Sequence, residues 1–152
     1  MSDRKGEGLN EQAETSKSAA PAAAVTRASQ LDTQALAERV AQLAHQAKAL
    51  DVKVLRVYEL VQYTDWFIVV SGRSDRHVKA IRDHIEDALR EQKVKPLSVE
   101  GTEQNQWVLL DYGDFVVHVF YEPVREFYEL ERLWQDAPRL EVRPVDEGAP
   151  RA

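Results

Sequence analysis

The stretch QWVLLDYGDFVVHVF, Gln106 to Phe120, reads as two β-strands joined at a turn. The strands turn at Tyr112-Gly113, and strand side chains point to opposite faces at every step. With Tyr112-Gly113 as a two-residue turn, Leu110 pairs with Phe115, Leu109 with Val116, Val108 with Val117 and Trp107 with His118. One face then collects Val108, Leu110, Phe115, Val117 and Val119, a set that belongs in a core. Burying those side chains contributes on the order of 10 kcal/mol before entropy is counted. The opposite face collects Trp107, Leu109, Asp111, Asp114, Val116, His118 and Phe120. Aromatic and aliphatic groups edged by carboxylates are the composition of a surface that meets another protein.

A chain of 152 residues with this apolar content predicts one domain with one core. The absence of cysteine excludes disulfides, thiolate zinc sites and a cysteine nucleophile. The sequence has no apolar run near the roughly 20 residues of a membrane span, and the start MSDRKGEGLN is too polar for a signal peptide, so a cytoplasmic protein with no membrane partner is expected. Charge is uneven along the chain. Residues 32–138 carry 13 Lys and Arg against 19 Asp and Glu, the whole of the net −6, while both ends are balanced. Such a domain suits a basic protein partner better than a phosphate backbone.

Residues 1–31 are rich in Ala, Ser, Glu and Lys and are predicted to be a disordered extension. The folded domain is expected over 32–138, with 139–152 as a tail. Asp32 or Thr33 caps a helix with the stripe Leu36, Val40, Leu43, Ala44, Ala47 and Leu50. A strand over Asp51 to Val57 follows, then Trp66 to Val70, apolar throughout and predicted to be a central strand. Ser74 or Asp75 caps a second helix whose inner stripe is Val78, Ile81, Ile85, Ala88 and Leu89. A short strand over Leu97 to Glu100 and the hairpin complete the sheet. Pro123 then opens a last helix with Phe127, Leu130, Leu133 and Trp134 on one side, Phe127 and Trp134 being read as core. The fold class is α/β (α+β), a single domain with a mixed sheet and helices mainly on one face.

Each candidate residue has a structural alternative. Trp107 is either a sheet residue packing on a neighbour or an interface anchor; Leu109 and Val116 are either covered by another segment or open to a partner. Asp111 and Asp114 are turn formers that also face solvent. His118 is placed to stack with Trp107 and to touch a partner backbone. The four histidines lack the spacing of a metal site, and no cofactor is expected. Arg73, Arg76, Lys79 and Arg82 read as a solvated helix face balanced by Asp75, Asp83, Glu86 and Asp87, with a minor RNA contact left open.

DWFIVVSGRSDRHVKAI, SVEG at Ser98 to Gly101, WVLLDYGDFVVHVF and REFYELERLW together resemble the ribosomal silencing factor family, also called Iojap-related, over about residues 33 to 136. The resemblance implies a protein without chemistry of its own. It implies docking on the large ribosomal subunit against ribosomal protein L-fourteen, blocking the small subunit and damping translation when nutrients are scarce. It further implies a nucleotidyltransferase-like fold without the catalytic carboxylates. Ser71 to Ser74 fits a phosphate-cradling turn loosely, but the following strands lack the paired acids that would hold a metal ion. The expected partner-binding set is Trp107, Leu109, Val116 and His118, rimmed by Glu100, Asp111 and Asp114. A nucleotidyltransferase-like enzyme and a self-assembling homodimer are the alternatives.

Overall fold

The computed structural model describes residues 22–129, 132 and 134–145, with side chains from residue 33 onward. The chain divides between Asp32 and Thr33 into two units, and the second carries the sheet. In order the elements are α1 (Ala22–Gln46), β1 (Leu50–Arg56), α2 (Tyr58–Val61), β2 (Trp66–Gly72), α3 (Asp75–Glu91), β3 (Ser98–Glu100), β4 (Trp107–Asp111), β5 (Phe115–Tyr121), α4 (Glu122–Tyr128) and β6 (Arg139–Leu140). The strands form a mixed sheet of order β3-β4-β5-β2-β1-β6, in which only β2 and β5 run parallel among the paired neighbours. β2 is buried at every position, as its unbroken apolar run predicts for a central strand.

The sheet's first face carries Val54, Ile68, Val70, Val108, Leu110, Val117 and Val119. Against it pack Ala37, Val40, Ala41 and Ala44 of α1 and Val78, Ile81, Ile85 and Leu89 of α3. These are two stripes at helical spacing, and they make this face the main core. Ser74 starts α3 as expected, its Oγ accepting the His77 N–H at 3.0 Å. The two helices are tied by His77, whose Nδ1 accepts the Arg73 N–H at 2.9 Å and whose Nε2 therefore donates to the Ala47 carbonyl at 2.9 Å. The second face carries Leu55, Phe67, Val69, Val116 and Phe120, packed by Val61, Val124 and Trp134.

Four expectations are corrected. First, the hairpin register lies two residues away from the expected one: Trp107 pairs with Phe120, Leu109 with His118 and Asp111 with Val116. The favoured two-residue turns need positive φ at their first central residue. Gly113 supplies it at +90°, while Tyr112 does not. The turn instead sits one residue further on, at Gly113-Asp114, where the Tyr112 N–H donates to the Phe115 carbonyl and the Gly113 N–H to Asp111 Oδ1. A slip of two preserves every face assignment, where a slip of one would have inverted them.

Second, α1 begins at Ala22 rather than at a cap at Asp32 or Thr33; the expectation for 1–21 lies outside the described residues. Third, the domain does not stop at Pro138. Arg139 and Leu140 pair with Leu55 and Val54 as β6, the His45 Nε2 lies 3.1 Å from the Val142 carbonyl, and the Val145 N–H donates to Gln42 Oε1. The outer edge of β1 was free to pair, and two residues are too few to show a strand period. Fourth, Phe127 is exposed, at 78%, rather than part of the core.

Candidate functional site

The second face is covered unevenly. Over β5 and β2, Trp134 and Val124 close on Phe67, Val116 and Phe120. Over β3 and β4 the side chains stand open: Ser98 and Glu100 are exposed, and Leu109 and Asp111 are half-buried. Trp107 is 36% exposed. Register places Glu100 opposite Leu109 and Leu109 opposite His118, so these three form a row across the face, from open edge to covered interior.

Trp107 is held in a definite pose. Its indole N–H donates to His118 Nδ1 at 3.2 Å, its ring centroid lies 4.9 Å from that of Phe120, and Tyr128 flanks it at 5.7 Å. His118 is thus the diagonal rather than the direct cross-strand neighbour of Trp107. The backbone beneath is shaped by Gly101, at φ +86°, where a Cβ would fall 2.0 Å from the Trp107 carbonyl oxygen. Only glycine lets the loop after β3 close this tightly. Between that loop and α4 runs a groove of about 530 Å³ lined by Val99, Gly101, Thr102, Glu103, Gln104, Gln106, Trp107, Val124 and Tyr128.

Beneath Trp107, His118 is 5% exposed and sits among the rings of Phe67, Phe120 and Trp134. Burial pushes its imidazole down to about 4, so the ring is neutral at pH 7. Because Nδ1 accepts the indole proton, Nε2 carries the ring's own proton, and Nε2 has no hydrogen-bond partner.

α4 sets the other wall. Arg125 is buried; its Nη1 donates to the Asp51 carbonyl at 2.9 Å and to Ser71 Oγ at 2.8 Å, and its Nη2 lies 3.2 Å from Asp51 Oδ2. Burial raises the Asp51 carboxyl, but the hydrogen bond from Lys53 and the charges of Arg125, Lys53 and Arg139 outweigh it and leave the group below its ordinary value. With Arg125 and Val124 turned to the sheet, Phe127, two residues past Arg125, turns away from it. Phe127 and Tyr128 then stand edge to face at 5.1 Å on the surface.

At the far end of β4, four strand steps or roughly 13 Å from Trp107, Asp111 and Asp114 flank the hairpin tip. The Asp114 carbonyl accepts the Asp65 N–H at 3.0 Å. Burial and the nearby Asp114 charge raise the Asp65 carboxyl, and burial and Asp111 raise the Tyr63 hydroxyl. Residues 101–138 hold eight Asp and Glu against Arg125 and Arg132, so the acidity of the domain gathers in this part of the chain.

Of the seven residues expected to meet a partner, Trp107, Leu109, Glu100, Asp111 and Asp114 reach the surface. Val116 and His118 are covered, because Trp134 and the start of α4 cross the β5 half of the face. Tyr128 and Val124, absent from that set, line the groove. The only signal for them in the sequence was the position of Tyr128 directly after Phe127, and the inward turn of Arg125 that brings it there is not visible in an apolar stripe. The turn before α3 is occupied by the protein itself: Ser71 Oγ accepts from Arg125, Ser74 Oγ caps the helix and the Arg73 N–H is bound to His77. Among the described residues no cluster of His, Asp and Glu is arranged to hold a metal ion.

A family model described as "Ribosomal silencing factor during starvation" matches residues 30–152. The ribosomal silencing factor of Halalkalibacterium halodurans is 40% identical over 98 residues, 64% of this chain and 84% of that protein. A mouse protein named "Mitochondrial assembly of ribosomal large subunit protein 1" is 34% identical over 95 residues, 60% of this chain and 42% of that one. A crystal structure from Chromobacterium violaceum superposes with a TM-score of 0.65 at 32% identity, covering 76% of this chain and 98% of that one. The match runs from within α1 through the sheet to the carboxyl-terminal residues, and by it this chain belongs to the ribosomal silencing factor family.

Proposed function

We propose that the protein docks on the large ribosomal subunit through ribosomal protein L-fourteen and, by occupying the joining surface, keeps the small subunit away. The observation that carries the reading is Trp107, a large aromatic ring fixed in place and left 36% exposed beside an open groove. Preorganised aromatic groups in partly enclosed settings are the usual anchors of protein interfaces. Leu109, Val124 and Tyr128 surround it with apolar area, and Glu100 and the acids of the hairpin tip give that area a negative border. A basic ribosomal protein complements that border, which speeds encounter more than it strengthens the complex. The mouse relative's name, which speaks of assembling a ribosomal large subunit, points to the same partner class. The mechanism needs binding alone, since the bulk of the domain is the obstacle.

Sucrose-gradient profiles of purified subunits, with and without the protein, test partner and mechanism together. Comigration with large subunits and a fall in joined ribosomes are expected. Trp107→Ala should lose at least ~2 kcal/mol of affinity, about thirtyfold, while remaining folded. Cosedimentation equal to wild type would remove Trp107 from the interface.

A further inference from the structure

Resting on the docking surface just proposed, we infer that His118 is a positioning residue for it: a buried hydrogen-bond acceptor whose task is to fix the Trp107 ring in its docking pose. The geometry is specific. Trp107 lies near the open edge of the sheet on β4, next to a three-residue strand and a loop, with the rings of Phe120 and Tyr128 beside it. His118 lies one strand further in, on β5, which is buried from Phe115 to Phe120, within rings that hold it on several sides. The 3.2 Å bond from indole N–H to Nδ1 therefore joins an exposed group to a rigid interior one.

Histidine is a poor choice for this position on packing grounds alone. The alternation of β5 calls for an apolar residue here, as at Val116 and Phe120 on either side. The imidazole instead leaves its Nε2 proton without a partner in the interior, an arrangement that stability does not favour. What an apolar side chain could not supply is a lone pair aimed at the edge strand, and the indole uses that lone pair. An indole that lost it would keep its contacts with Phe120 and Tyr128 but be free to turn among rotamers. Docking would then have to order the ring, a cost that a fixed pose avoids.

Two substitutions separate this role from ordinary packing. His118→Leu removes the acceptor and the orphaned proton together, so it should fold at least as stably as wild type yet bind large subunits about three- to tenfold more weakly. His118→Asn places a carboxamide oxygen close to where Nδ1 stood, and should recover most of the lost affinity although it fills the space less well. In two-dimensional NMR the Trp107 indole N–H of the leucine variant should move toward the free-indole position and exchange faster with solvent, while that of Trp66, in the core of the other face, stays in place. If His118→Leu binds as tightly as wild type while Trp107→Ala is impaired, the positioning role is wrong and the docking surface stands. If Trp107→Ala binds normally too, both fall. Affinity lost equally by the leucine and asparagine variants, with the Trp107 indole signal unmoved, would also overturn the proposal.

Discussion

The two halves of the sheet's second face have much the same strand sequence and opposite fates. On β5, Val116 and Phe120 are buried; on β4, in the same ladder, Leu109 is half-buried and Trp107 exposed. Hydrophobicity does not distinguish them. The difference is made by a later stretch of chain: α4 and Trp134 return across β5 and β2, and the return is anchored by Arg125 on Asp51 and Ser71, toward the middle of the sheet. The β3–β4 half is left open because the covering segment is short and fastened elsewhere. Exposure of a strand face is thus decided by which segment crosses it, and the uncovered half is where a partner finds apolar area ready to bury.

The contrast breaks first at Phe67. Its ring packs edge to face against Trp134 at 4.8 Å and against His118 at 4.7 Å, at the centre of the covered half. Phe67→Ala should cost about 3–5 kcal/mol in urea unfolding, the range for deleting a buried phenyl ring. A loss below about 1 kcal/mol would mean that the segment over β5 and β2 is only loosely applied.

Acid sharpens it next. His118 is neutral in the folded protein down to about pH 4, whereas in the unfolded chain a histidine takes up a proton near pH 6.5. Between those values the unfolded state binds more protons, so stability is complete above about pH 6.5 and falls as pH drops toward 4, by roughly 3 kcal/mol. Asp65, whose carboxyl is raised, works in the opposite sense over part of that range, so the informative quantity is the difference between wild type and His118→Leu. Unfolding free energies of the two proteins should diverge as pH falls from 7 to 4.5, wild type losing more. Parallel curves would show that His118 is reached by solvent and belongs to the open half after all.

Much of this was legible from sequence, and the gaps have a common cause. The long stripes of α1 and α3, the buried run of β2 and the two faces of the hairpin all repeat a period several times, so each can be read without knowing its neighbours. The hairpin faces survived even a wrong register, since the slip was even. What was not legible depends on single residues meeting across the fold. Arg125 decides which way α4 turns, yet nothing near it in sequence names Asp51 and Ser71 as its partners. Of the expected apolar stripe, Phe127 is exposed and Trp134 packs on the second face, α4 having ended at Tyr128 with Glu129 in a left-handed conformation at φ 50°; Leu130 and Leu133 lie outside the described residues. Val116 and His118 were placed on the correct face, but their burial follows from the return of α4 and Trp134, which no strand pattern encodes.

The smallest expected effect tests the boundary between the halves. Phe127 belongs to the covering helix but not to the cover: it is 78% exposed and its ring meets that of Tyr128 at the surface. Phe127→Ser should therefore change unfolding free energy by no more than about 0.5 kcal/mol, the ordinary range for a surface substitution, against several for Phe67→Ala. Helix propensity contributes little, since Phe and Ser are near neighbours on that scale and the helix ends one residue later. A loss above about 1 kcal/mol in the same urea titration would mean that Phe127 is buried when the protein is folded in solution. The cover would then reach further toward β4, and the groove beside Trp107 would be narrower than the open half requires.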